Sequence, residues 1–367
     1  MNNLYFFLFL LNIYINLSNE NINVIKNETI KINKSRRINI HSSNKAVNRK
    51  NLLLGIIEKY TLNKVLPFFK SLIQSNFQNC DVVIFVRNVS KKLIKYLKQI
   101  GVFVFEIPNK YKNISTINVR WKMYINFLEI NRNLYNIVFQ CDIRDTIFQK
   151  DVFKYFLNHK PYISSKSFLG LAIEDGTLNV EINKKWIIDY VGEQKHKIIQ
   201  NERIICVGTL WGTLDKFLEF SIVFWEKLNE NPKSIEQGIA NYMFYYENFL
   251  KEYLIKSDNY GPVMTIGITP DEKLNFDSQD NILNFNREIA SVIHQYDRKP
   301  IVVEKVINKY FPELIEIKKR IIRTILIINI FLIIFFFKIK MTIKKSILFK
   351  LRKNKIIKFF KYIFNFK

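Results

Sequence analysis

Apolar and polar positions along the middle of the chain switch repeatedly between two periods. Residues 52–56 form a short unbroken apolar run, as a buried strand does, and residues 65–74 then space their apolar side chains as a helix does. The alternation continues with a strand over 81–86, a helix over 90–99 and a strand over 102–107. Residues 119–131 return to the helical period, and residues 136–142, Asn-Ile-Val-Phe-Gln-Cys-Asp, read as a strand that runs straight into charge. Strand, helix and strand in this order predict an α/β fold with a mostly parallel central sheet. Its ligands are expected at the carboxyl ends of the strands. No internal repeat breaks the pattern.

Both ends depart from it. The apolar run 4–17 has the length of a signal-peptide core and is short for a spanning helix, so residues 1–18 read as a signal peptide or an uncleaved signal anchor. Residues 19–50 are rich in Asn, Lys and Ser without a sustained period, which suits a stem or linker. The domain is expected over 51–315. Beyond it, 318–338 reads as a transmembrane segment: its nearly all apolar core, residues 321–337, is broken by Arg323 and Asn329, and Lys318, Lys319, Arg320 and Lys338 are able to snorkel at its ends. Residues 339–367 alternate Lys or Arg with Ile and Phe; Ile356, Phe359, Phe360 and Ile363 lie along one helical stripe, which predicts an amphipathic tail against anionic lipid. The tail carries more positive charge than the run before the span, so the tail is expected in the cytosol and the domain in the lumen of the endoplasmic reticulum or Golgi. The sequons at Asn27, Asn33, Asn88 and Asn113 suit that placement but arise easily in a chain so rich in Asn.

Composition changes this picture little. The chain has 367 residues, 48% of them hydrophobic, enough for one large domain with a real core. A net charge of +25 invites a nucleic-acid partner. The excess is spread along the whole chain instead of being gathered on a face with stacking aromatics, which argues against that partner. Cys80, Cys141 and Cys206 make neither a disulfide framework nor a zinc pattern. In their apolar surroundings they are expected to be buried structural cysteines, with one disulfide and a free thiol as the alternative.

Candidate chemistry gathers where the last strand stops. Asp142 and Asp145 emerge there in Cys-Asp-Ile-Arg-Asp-Thr-Ile-Phe-Gln. A pair of carboxylates suits a hard divalent cation, which in turn suits the phosphates of a nucleotide. The competing reading is a helix-start cap with Arg144 paired in solvent. Further along come Glu174-Asp175-Gly, then Cys206-Val-Gly208-Thr209-Leu-Trp-Gly212-Thr213, Glu236-Gln237-Gly238 and Val-Ile-His294-Gln295-Tyr296-Asp297-Arg298.

With Arg120 and Tyr124, this ordered set resembles the GT-A fold nucleotide-sugar glycosyltransferases, including a eukaryotic group with Asp-x-Arg-Asp and His-Gln-Tyr-Asp-Arg motifs. The resemblance runs from Leu52 to Arg298, about two-thirds of the chain. It implies that Asp142 and Asp145 serve as the metal and nucleotide motif and that His294 is a third ligand to Mn²⁺ or Mg²⁺. Gly208–Thr213 would form a tight loop near the donor, with Gly208 and Thr209 against it, and Arg120 and Arg298 would contact diphosphate oxygens. Glu236 and Gln237 stand where the family has Asp-Gln near the transferred sugar; Glu236 is one methylene longer. Glu174 and Asp175 would orient sugar hydroxyls. The D-x-x-D spacing differs from a strict D-x-D and leaves both aspartates as candidates for direct metal contact.

The activity so implied is transfer of a sugar from a UDP- or GDP-sugar to a glycan, glycoprotein or glycolipid acceptor. A non-catalytic membrane protein that keeps the fold as a binding module is the alternative; loss of Asp142, Asp145 or His294 would favour it, and all three are present. A metal-dependent phosphohydrolase would show a nucleophilic Asp with a Thr or Ser/Lys set, which Asp145-Thr alone does not satisfy.

Overall fold

The structure, a computed structural model, describes residues 49–363. The expected signal segment, nearly all of the expected linker and the last four residues of the tail lie outside the described residues. Two compact units divide the described chain, one ending at Tyr310 and the other starting at Phe311.

The first unit is an α/β layer structure. Its strands open with β1 (Lys50–Glu58), β2 (Cys80–Arg87), β3 (Phe103–Glu106) and β4 (Tyr135–Cys141). The helices between them are α1 (Leu62–Gln74), α2 (Lys91–Gln99) and α3 (Thr116–Ile130). Every element expected from the apolar pattern is present within a few residues of its expected bounds. Ser90 caps α2 by accepting from the Leu93 backbone N–H at 3.2 Å. Then follow β5 (Thr146–Phe148), α4 (Val152–Asn158), α5 (Lys160–Ile163), β6 (Leu169–Thr177), α6 (Glu181–Val191), α7 (Glu193–Ile199), β7 (Arg203–Thr213), α8 (Leu214–Glu230) and α9 (Glu236–Tyr245). Strands β8 (Leu254–Ser257), β9 (Val263–Thr265), β10 (Asn275–Phe276), β11 (Ile282–Leu283) and β12 (Val292–His294) precede α10 (Pro300–Tyr310).

The main sheet has seven strands in the order β3-β2-β1-β4-β7-β6-β8. It is mostly parallel, as expected, with β7 alone running against both of its neighbours. Helices cover both faces. Alternate residues of β1 serve two cores: Leu53 and Ile57 pack with Val65, Phe68, Phe69 and Leu72 of α1, while Leu52 and Leu54 pack with Trp121, Tyr124 and Leu128 of α3 and Phe217, Phe220 and Phe224 of α8. A strand buried on both faces has to be apolar throughout, which is why its sequence shows no alternation.

Two features of the topology build the site. The order reverses at β1, whose neighbours β2 and β4 lie on opposite sides, and such a switch point opens a crevice at the carboxyl ends of those strands. A second sheet, β5-β12-β9, then carries chain from the far end of the unit to that crevice: β12 pairs antiparallel with β5 and parallel with β9, so that His294 lies opposite Thr146 and Thr265.

Among the described residues, the second unit consists of one long helix, α11 (Pro312–Ile363). Within it Ile322–Thr342, 21 residues with a mean hydropathy of 2.3, is long and apolar enough to cross a membrane. This window begins and ends a few residues later than the segment expected from the sequence. The helix continues without a break into the basic tail.

Candidate active site

Asp142 is the first residue past β4, and its backbone N–H donates to the Gly208 carbonyl at 2.8 Å, tying the strand end to β7. Three residues on, Asp145 leads into β5, and β12 lies alongside β5. The register therefore delivers His294 to the two aspartates. One ligand atom from each of Asp142, Asp145 and His294 falls within 4.8 Å of the others. His294 Nε2 is 3.6 Å from Asp145 Oδ1 and 3.9 Å from Asp142 Oδ2, too long for hydrogen bonds but suited to atoms that share a ligand between them.

The donor set fits a divalent cation. Asp145 Oδ1 and His294 Nε2 are both buried and have no hydrogen-bond partner within the protein, a costly arrangement unless something else satisfies them. Gly208 keeps the space beside them open: a Cβ there would lie 2.3 Å from His294 Cε1, 2.7 Å from His294 Nε2 and 2.9 Å from Asp142 Oδ2. Two carboxylates and one imidazole make a mixed oxygen and nitrogen donor set of the kind divalent cations take.

Electrostatics agree with this geometry. Burial pushes the Asp145 carboxyl up, but His294 and Arg144 outweigh it and hold it at about 2. Burial pulls the His294 imidazole down, and Asp145 and Asp142 outweigh that pull and raise it. Asp145 and His294 thus stabilise each other's charged forms inside the protein.

Arg120 organises the other side. Expected as a diphosphate contact, it is instead fully buried inside the protein, with NH1 donating to Asp142 Oδ1 at 2.6 Å, and NH2 to Glu236 Oε1 at 2.5 Å and to the Val207 carbonyl at 3.3 Å. Glu236, the first residue of α9, also accepts from Trp121 Nε1 at 3.1 Å. Burial pushes its carboxyl up, to about 7, against the opposing pull of Arg120. Glu236 thus meets Arg120 and Trp121, which leaves little of it to face a sugar. Gln237 turns the other way, donating to Asn183 Oδ1 on α6 at 2.9 Å.

The expected loop at Gly208 and Thr209 is a correction: both lie within β7, where Thr209 pairs with Cys141. The run of small residues reflects close approach inside the sheet instead of a turn. Thr209 Oγ1 is buried without a partner. Arg298 is exposed and lies beside Gly267, whose added Cβ would meet Arg298 NH1 at 2.9 Å. Glu174 is buried, and its carboxyl faces Cys206 and Gln295. Asp175 is tied into structure, accepting from Asn259 Nδ2 at 2.9 Å, Thr269 Oγ1 at 2.6 Å and Arg203 NH2 at 3.2 Å.

Three residues to which the motifs assign no role in the site also meet there. Arg144 binds Asp145 Oδ2 at 3.0 Å and Asp297 Oδ2 at 3.3 Å while staying 45% exposed, and so presents a cation at the crevice. Tyr60, just past β1, feels the charges of Arg144, Asp142, Asp145 and Asp297. The ends of β1 and β4 thus face one crevice. Cys206 stands behind His294, with Sγ 3.6 Å from Nδ1. All three cysteines are free and buried, which removes the disulfide alternative.

The chain is similar in fold to solved glycosyltransferases. The galactosyltransferase LgtC, solved with donor and acceptor sugar analogs, is 12% identical over 71% of this chain and 95% of its own, with a TM-score of 0.45. The apo structure of WbbM, a bifunctional glycosyltransferase, is 14% identical over 76% of this chain and 53% of its own, with a TM-score of 0.45. Core-mannan synthase A (CmsA/Ktr4) from Aspergillus fumigatus, in its Mn/GDP form, is 10% identical over 60% of this chain and 76% of its own, with a TM-score of 0.36. The likeness is one of fold. The chain matches no protein-family model and no curated protein.

Proposed function

We propose that the chain is a divalent-metal-dependent glycosyltransferase that moves a sugar from a nucleotide-diphosphate sugar to a glycan, glycoprotein or glycolipid acceptor. The observation that carries this reading is the Asp142–Asp145–His294 cluster at the switch-point crevice, with Asp145 Oδ1 and His294 Nε2 buried and unpartnered. In this reading the three residues hold Mn²⁺ or Mg²⁺. A cation bound there supplies charge neutralisation for a departing diphosphate, the main electrostatic demand of the reaction.

The residues divide the remaining work. Arg120 neutralises Asp142 Oδ1 and fixes that carboxylate, leaving Oδ2 turned toward His294. Glu236 balances Arg120 and acts through it. Arg144, exposed beside Asp145, and Arg298, exposed beside Gly267, would bind diphosphate oxygens of the donor. Thr209 and Gly208 line the donor side, where the missing Cβ leaves room for the ligand. Gln237 is proposed as the amide nearest the sugar, reachable if its bond to Asn183 opens.

The membrane assignment belongs to the same proposal. Ile322–Thr342 spans the bilayer, the basic tail lies in the cytosol, and the first unit works in the lumen of the endoplasmic reticulum or Golgi.

A donor panel tests the activity. The full chain in detergent is given UDP- and GDP-sugars with Mn²⁺ or with EDTA, and release of the nucleotide diphosphate is followed. Release from one donor is expected, dependent on metal and lost in Asp142→Ala and Asp145→Ala. Metal-independent release, or no release from any donor in the panel, would count against the reading.

A further inference from the structure

We propose that a polar cavity at the far end of the β5–β12 ladder is a second binding site, one that takes carbohydrate and needs neither the cation nor the donor.

The topology separates the two sites. β5 and β12 pair antiparallel, with Thr146 and His294 at the crevice end and Phe148 and Val292 at the other. One residue further out, at Gln149 and Ser291, opens a cavity of about 800 Å³, roughly 10 Å of strand away from His294. Gln74 and Asn76 at the end of α1, Tyr155 and Asn158 on α4, and Glu288 in the turn before β12 face into it.

Hydrogen bonds tie these walls to one another. Asp151 accepts from the Gln78 backbone N–H at 3.0 Å and, as the cap of α4, from the Phe153 N–H at 3.0 Å. The Gln149 amide donates to the Ile282 and Ala290 carbonyls, both at 2.9 Å, and accepts from the Ile282 N–H at 2.8 Å. Both side chains are committed to the frame, so the shape of the cavity does not wait for a ligand.

The groups left over are those that recognise sugars. His159, immediately after α4, stacks on Tyr155 with ring centres 3.4 Å apart and planes at 12°. Both rings are half-buried. A carbonyl oxygen only accepts, so His159 Nδ1 donates to that of Tyr155 at 2.8 Å, which pins the ring and leaves Nε2 to a ligand. The side-chain amides of Gln74, Asn76 and Asn158 and the Glu288 carboxylate make no hydrogen bond within the protein among the described residues. A primary amide carries a donor and an acceptor in one plane, which two neighbouring sugar hydroxyls match. The face of an aromatic ring is negative and attracts the polarised C–H bonds on the flat side of a sugar. Glu288 lies close enough to Tyr155 for its charge to act on the phenol, so the carboxylate and the ring pair share one space. A hydrocarbon would leave these amides and charges dry and unpaired. A polyanion would meet Glu288 as well as Lys150 and Lys154.

A transferase gains from such a site when its acceptor is a long or branched glycan, because the part that does not react is held while the end moves at the crevice. That use rests on the transferase reading; the binding itself does not.

The test takes the full chain in a detergent without a sugar head group, in EDTA and without nucleotide. Chitotriose, mannotriose and lactose are added in turn, with inorganic phosphate as the anion control, and saturation-transfer NMR reports which of them the protein touches and how tightly. At least one oligosaccharide is expected to bind. His159→Ala and Asn158→Ala are each expected to weaken it about 5- to 10-fold, as loss of a stacking face or a hydrogen bond does. Asp145→Ala is expected to leave it unchanged. Asn158 and Gln74 are exposed, so Asn158→Ala and Gln74→Ala test the site even should His159→Ala fail to fold. No oligosaccharide bound by the unmutated protein overturns the proposal, and so does binding of phosphate alone. Binding that keeps its full strength in the folded cavity variants, or that vanishes in Asp145→Ala, puts the sugar elsewhere and overturns it too. Should the donor panel show no nucleotide release while an oligosaccharide binds in the cavity, the transferase reading fails and the second site stands.

Discussion

Arg120 is the side chain on which the interior of the site hangs. It joins Asp142 on the β4 end to Glu236 at the start of α9, and its side chain is 2% exposed. Removing one partner of a buried pair strands the other, so Arg120→Met is expected to lower stability by about 3–5 kcal/mol in chemical denaturation. The double variant Arg120→Met/Glu236→Met should recover most of that loss, because no buried charge is then left unpaired. Gly208 makes a contrasting case. Its missing Cβ is the space beside His294 and Asp142, so Gly208→Ala is expected to weaken Mn²⁺ binding at least 10-fold, as a shifted ligand does, in a titration of the folded protein. An unchanged Mn²⁺ affinity in Gly208→Ala would show that the cation does not sit there. Neither residue announced its job in the sequence. Arg120 was marked as a candidate, but its partner Glu236 is more than a hundred positions away, and no local pattern reveals that a buried guanidinium faces inward. Gly208 reads as part of a tight loop that lets backbone approach the donor, whereas its close approach is made from within a strand.

Elements were legible in proportion to how local their causes are. The first four strands and three helices of the main sheet follow from apolar runs and helical periods, and each run is set by which faces its own segment buries. What could not be read is pairing at a distance: the reversed direction of β7 depends on pairs such as Cys141 with Thr209, 68 positions apart, and the docking of β12 on β5 on pairs such as Thr146 with His294, 148 positions apart. The His294 assignment therefore rested on resemblance, and the register of β12 supplies its physical reason. The ends of β1 and β2 carry a further tie. Arg87 donates to both oxygens of Glu58, at 2.9 and 3.2 Å, and Thr116 at the start of α3 donates to Glu58 as well. Burial raises the Glu58 carboxyl, but Arg87 and Thr116 outweigh it and hold it below its ordinary 4.5. A depressed folded value means that the stabilisation is complete above pH 4.5 and is lost as pH falls through the folded value. Glu58→Gln is expected to cost on the order of 1–3 kcal/mol at neutral pH and to flatten the acid limb of a stability–pH curve. A parallel acid limb in the variant would show that the tie is idle.

At the scale of the whole molecule, composition misleads and placement decides. A net charge of +25 would suggest an anionic polymer partner, yet Arg144 at the crevice is paired with Asp145 and Asp297, and the long basic stretch belongs to α11 beyond its apolar window. The luminal assignment makes a checkable demand on the first unit. Asn88 and Asn113 each begin a sequon and are exposed, so a luminal unit offers both to the glycosylation machinery. Expressed in a eukaryotic cell, the chain is expected to shift in mobility on endoglycosidase treatment and to lose the shift contributed by these sites in Asn88→Gln/Asn113→Gln. A chain that carries no glycan at either site would place the unit on the cytosolic side.

Calorimetric titration of UDP and GDP into the full chain, with and without Mn²⁺, tests most directly the claim that Asp142, Asp145 and His294 hold the cation on which the donor docks. One nucleotide should bind only when Mn²⁺ is present, and its binding should disappear in Asp145→Ala and in His294→Ala while both variants stay folded. Equal binding with EDTA, or binding untouched by those two substitutions, would contradict it.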